Sequence, residues 1–150
     1  MKRFFAIALV AVLVLLGGCQ SQSPAVADTS NATSPLVGTW EFVSGRYTTP
    51  GKPPAVYDAS DMHALKIVSP THFSFVAVLG DGTFYAAGSG PYEIKGDAHS
   101  GTYTENIEYA SVPSMVGKGY PFAYRIEGER WYHEGDEDGT HVEEVWRRVE

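Results

Sequence analysis

The chain has 150 residues, with 18 acidic against 11 basic side chains, a formal net charge of −7 and a single cysteine. An acidic surface with scattered Lys and Arg repels phosphate backbones, which excludes nucleic acid as an expected partner. One cysteine excludes an intramolecular disulfide, so burial and hydrogen bonding alone must hold the fold.

Lys2 and Arg3 precede thirteen uncharged, mostly apolar residues, "FFAIALVAVLVLL", from Phe4 to Leu16. A stable spanning helix needs about 20 residues, so the run predicts a processed export signal rather than a permanent anchor. A membrane helix that happens to end in Gly-Gly-Cys is the alternative. "LLGGC", ending at Cys19, resembles the lipobox of bacterial lipoprotein signals. That resemblance implies a signal peptide over 1–18 and cleavage before Cys19. It also implies a diacylglyceryl thioether on Cys19, usually with an acylated amino group such as palmitate. Several acyl chains, each adding about 0.8 kcal/mol per buried methylene, anchor a protein stably to a lipid bilayer. Gln20, where such lipoproteins carry Asp for inner-membrane retention, resembles the outer-membrane sorting pattern, with the domain facing the periplasm.

Residues 20–35, "QSQSPAVADTSNATSP", have no aromatic and no periodic apolar face. They bury too little to offset the entropy of ordering them, so 19–35 reads as a lipidated cysteine and flexible tether. Residues 36–150 leave 115 positions, the size of one domain with its own core.

Within that domain, short segments of strand character recur between Gly, Pro, Asp and Ser. "VGTWEFVS" places Trp40 and Phe42 on one face. Pro50, Pro53 and Pro54 make the following segment a loop, and "YDASDMHALKIV" has room for one helical turn near Asp58 to Leu65. "HALKIVS" and "HFSFVAVL" are strands, the second with Phe73, Phe75, Ala77 and Leu79 together. Asp81-Gly82 predicts a hairpin turn leading to "FYAAGSG". "PYEIKG" pairs Tyr92 with Ile94, and "GTYTENIEYAS" aligns Tyr103, Glu105, Ile107 and Tyr109. "YPFAYRIEG" aligns Phe122, Tyr124 and Ile126, then "ERWYHEG" and "GTHVEEVWRRV" close the chain. Neither face of that last strand takes all of Val142, Val145 and Trp146, which predicts a bulge or an edge covered on both sides. About eight to ten hairpin-linked strands predict an all-β antiparallel meander, closed as an up-and-down barrel, with a sandwich as the alternative.

"GTW" at Gly38–Trp40 resembles the opening of lipocalin-like (calycin-type) proteins. Taken with "GSGPYEIKG", "GERWYHEG" and "EEVWRR", it resembles the lipocalin-like domains of bacterial lipoproteins over 36–150. The resemblance implies an arginine from the last strand covering Trp40. Arg147 and Arg148 are the candidates, and they point to opposite faces, so only one can do so. It transfers no reaction.

Candidate ligand-binding residues are Tyr92, Tyr103, Glu105, Tyr109, Tyr124, Trp131 and His133. Glu105 lies in phase with large side chains, so it faces a ligand, joins an interior network through a Tyr hydroxyl, Lys95 or an arginine, or sits at a wet mouth. His133 shares a face with Trp131 and has no adjacent carboxylate in phase to orient it for catalysis. No histidine spacing marks a metal site, "GSG" and "GKG" lack a phosphate-loop context, and no nucleophile elbow appears, so neither cofactor nor catalytic residue is assigned. The 47–57 and 111–119 loops are candidates to frame a cup mouth. The expectation is a membrane-tethered protein binding a small apolar or amphipathic ligand without turnover. An envelope protein–protein interaction module and a barrel hydrolase or isomerase using Glu105 and a tyrosine are the alternatives.

Overall fold

The structure is a computed structural model that describes residues 34–149. The expected signal peptide, lipidated Cys19 and tether as far as Thr33 lie outside the described residues. Ten strands follow in order: β1 (Gly38–Thr48), β2 (Ala55–Asp58), β3 (Met62–Val68), β4 (His72–Leu79), β5 (Phe84–Gly96), β6 (Ser100–Asn106), β7 (Tyr109–Ala110), β8 (Gly119–Glu127), β9 (Arg130–Glu137) and β10 (Thr140–Arg148). One short 3-10 turn spans Pro113–Met115. No helical turn forms at Asp58 to Leu65. Instead the Asp58 carboxylate accepts the Ser60 backbone N–H at 2.7 Å, which bends the chain directly into β3.

Antiparallel pairing runs β3-β4-β5-β6-β8-β9-β10, and β1 pairs with both β3 and β10. Eight strands therefore close into the up-and-down barrel that the alternation predicted, the architecture that the lipocalin-like resemblance implied, with β2 alongside the end of β1 and β7 alongside β5. Closure removes the unpaired edges that an open meander would expose. Asp81-Gly82 does form the β4–β5 turn, with Gly82 at φ 85° and its N–H donating to the Leu79 carbonyl. "FYAAGSG" and "PYEIKG" are one strand. Pro91 is tolerated because β5 changes partner there, pairing β7 at Gly88 and Ser89 and β6 from Tyr92 onward.

The conflict in the last strand resolves in its neighbour. The β1–β10 register slips between Phe42 and Ser44, so the inward phase of β1 passes from Trp40 and Phe42 to Gly45 and Tyr47. In β10, Val142 and Trp146 face inward with Glu144 between them, while Val145 is half-buried on the other face. A bulge in β1 thus lets one uninterrupted β10 pair along its whole length.

The closed end of the barrel is packed solid. Trp40, Tyr103, Trp131, Phe73, Leu36 and Val68 are all at or below 2% exposure. Trp40 meets Trp131 edge to face at 5.4 Å, and Tyr103 meets Trp131 at 5.2 Å. Arg148 lies 4.1 Å over the Trp40 ring and donates to the carbonyls of Val37 and Pro35, so the segment leading into β1 crosses beneath the barrel. Arg147 faces outward and pairs with Glu41. The closure that the "GTW" resemblance implied is therefore made by Arg148 alone.

Candidate functional site

Above this plug the interior opens into a cavity of about 480 Å³. Its walls are Phe42, Phe75, Phe122 and Trp146, and Gly88 makes room for one of them, since a Cβ there would lie 2.7 Å from the Phe75 ring. Thr49, Lys52 and Pro53 from the first loop and Ser111, Val112 and Met115 from the second line the same cavity. The two loops singled out from their Pro and Gly content do share its mouth.

Two buried polar groups sit in the cavity wall. Lys66, inward on β3 between Ala64 and Val68, donates from Nζ to Glu105 Oε1 at 2.7 Å, and the two side chains are 3% and 4% exposed. The ammonium also lies 5.0 Å from the Trp146 ring centre, 5.2 Å from Trp131, 5.7 Å from Phe75 and 5.9 Å from Tyr103. Aromatic faces and one carboxylate together replace the water this cation has lost. Glu105 is thus buried rather than exposed. It reaches Lys66 across the barrel, while Lys95 is exposed.

Glu144 is the second. Its Oε1 accepts from the Tyr47 hydroxyl at 2.7 Å, and its Oε2 accepts from Trp146 Nε1 at 2.9 Å and from His133 Nδ1 at 3.2 Å. Burial pushes its pKa up, but the His133 hydrogen bond, the Lys66 charge and the Tyr47 hydroxyl outweigh burial and hold it at about 2. His133 goes the other way: burial, then the Lys66 charge, lowers its pKa, so the ring is neutral with its proton on Nδ1 toward Glu144. Its Nε2 has no hydrogen-bond partner among the described residues. Burial first, then Glu144, raises the Tyr47 pKa well above the ordinary phenol value.

At the mouth stands Glu137, the last residue of β9. Burial, followed by repulsion from Glu105 and Glu144, raises its pKa to about 7. No hydrogen bond or ion pair reaches its carboxylate from a described residue, while its backbone pairs with Thr140 in the β9–β10 ladder. Beside it Tyr47 packs on Tyr57 at 5.9 Å, and Tyr57 on Tyr85 at 6.2 Å.

Of the residues expected to touch a ligand, Glu105 and His133 line the cavity. Tyr103 and Trp131 lie beneath it, buried against Lys66 and, for Trp131, against Trp40. Tyr92 and Tyr124 are buried too, with hydroxyls donating to the carbonyls of Ser69 and Asp97. Tyr109 requires a correction: it is 71% exposed on the outside. The phase that carries Tyr103, Glu105 and Ile107 inward ends when β6 stops at Asn106. Ile107 turns aside to hydrogen-bond Lys118 and Gly117, and the two-residue β7 restarts in a new phase. Lys66, Tyr47, Glu137 and Glu144 were not singled out. For Lys66 and Glu144 a signal existed, since each is a charged residue in phase with apolar neighbours on its strand. Among the described residues, no three His, Cys, Asp or Glu side chains are grouped to hold a metal ion.

The family model "Domain of unknown function (DUF4488)" matches residues 35–150. The chain belongs to this family. The match takes in every strand of the DUF4488 barrel, both loops at the mouth and the Arg148 closure. No curated protein matches the chain. Among solved structures, an uncharacterized protein from Bacteroides eggerthii DSM 20697 is similar at 14% identity, covering 75% of this chain and 98% of that one with a TM-score of 0.44.

Proposed function

We propose that this DUF4488 protein is a lipid-anchored binding protein. Its barrel takes up a small amphipathic ligand, and Cys19 tethers it to the periplasmic face of the bacterial outer membrane. The observation that carries the binding part is the cavity of about 480 Å³, sealed at one end and open at the other. That volume suits a single small ligand, and charged groups set among aromatic walls suit one with a polar and an apolar end. Glu105, which a hydrolase or isomerase would need free, is engaged by Lys66 at 2.7 Å.

Native mass spectrometry of the full chain, released from its own membranes, tests both parts. An extra mass that leaves on unfolding supports the cup, and a diacylglyceryl increment lost in Cys19→Ser supports the tether. A chain that stays ligand-free after incubation with envelope lipid extract counts against the cup and turns the search toward a protein partner. An intact leader with an unmodified Cys19 counts against the tether.

A further inference from the structure

The charges around the cavity do not balance. Lys66 is taken by Glu105, and Lys118, outside the lining, holds Asp138 at 2.7 Å. Glu144 is served by three donors, none of them a cation in its resting form, because His133 is neutral. The Glu137 carboxylate has no partner among the described residues, and Lys52 is exposed on its loop. The lining is therefore acidic, with its unmatched carboxylate at the mouth. Tyr47 and Tyr85 line the same cavity as Glu137, and both pack on Tyr57. An anionic head group entering the cup would meet Glu137 with Glu144 behind it. A cation would meet a carboxylate and aromatic faces, the combination that recognises organic ammonium groups.

We propose that the cup selects an organic cation: an ammonium head seated between Glu137 and the rings of Tyr47 and Tyr85, with an apolar body reaching down between Phe42, Phe75, Phe122 and Trp146. This inference rests on the binding reading above and adds the sign of the ligand's charge.

Three probes with one body separate the two claims: 3-phenylpropyl-trimethylammonium, 3-phenylpropanol and 3-phenylpropionate, titrated calorimetrically into the full chain at pH 8 and low salt. The ammonium is expected to bind at least about tenfold tighter than the alcohol, with the carboxylate weakest. Glu137→Gln should narrow the ammonium-to-alcohol ratio to about threefold or less, and added salt should narrow it in the wild type. Tyr85→Leu, which leaves every carboxylate in place, should narrow it as well. Equal binding of alcohol and ammonium overturns the cation assignment and leaves the cup standing. A preference for the carboxylate overturns it in favour of Lys52 or Lys66 as the anchor. Binding of none of the three at millimolar concentration counts against the cup itself, and the assignment falls with it.

Discussion

The two ends of this barrel are built from the same strands, yet they hold opposite interiors. At the closed end, Trp40, Tyr103 and Trp131 interlock beneath Arg148, and the polar atoms of Trp40 and Arg148 are spent on the backbone of residues 35–37. At the open end, Lys66, Glu105, Glu144 and Glu137 share a cavity with aromatic walls. The contrast teaches where stability and binding are separated along one set of strands. Close packing without voids holds the fold, while costly buried charges are kept where a cavity needs them.

Breaking the buried pair at the boundary should have the largest effect. Lys66→Met leaves Glu105 buried without its cation and should cost about 3–5 kcal/mol in urea unfolding, whereas adding Glu105→Leu should recover most of the loss. Comparable destabilisation from both proteins would show that the pair itself stabilises the fold. At the closed end, Trp40→Ala should cost about 3–5 kcal/mol by opening a void, while probe affinity at temperatures where the variant remains folded stays unchanged. A lost affinity would break the division between the two ends.

The carboxylates at the open end should reveal themselves through pH. Glu144 is held at about 2, below its ordinary value of 4.5, so its contribution is complete above pH 4.5 and disappears as pH falls toward 2. Unfolding curves at pH 5, 3.5 and 2.5 should therefore show the wild type losing about 2–3 kcal/mol more than Glu144→Gln over that range. Glu137 carries the opposite sign. With its pKa raised to about 7, its stabilising effect is complete below 4.5 and is lost as pH rises through 7. Glu137→Gln should match the wild type at pH 4 and be more stable by about 1–2 kcal/mol at pH 8, less than the full shift implies because the side chain is partly exposed. The smallest effect belongs to the outer wall: Tyr109→Ala should change stability by less than about 0.5 kcal/mol and leave ligand binding alone.

Much of this arrangement was legible one strand at a time. Alternation placed Tyr103, Glu105 and Ile107 inward, and the Asp81-Gly82 hairpin and both mouth loops followed from turn chemistry. Alternation failed at Tyr109 because its phase survives only while a strand continues, and β6 ends at Asn106 when β5 changes partner. It also left Val142, Val145 and Trp146 unreconciled, because the register slip that settles them lies in β1, about a hundred residues earlier.

By itself, then, the chain's pattern of large and polar side chains determined an antiparallel meander and most of its inward faces. Periodicity is a local property of the backbone and needs no knowledge of partners. Only the tertiary structure decided that Glu105 meets Lys66, that Glu144 orients His133 and that no described residue pairs with the Glu137 carboxylate at the mouth. These pairings join strands far apart in sequence, and their strength depends on distance and burial that only barrel closure creates.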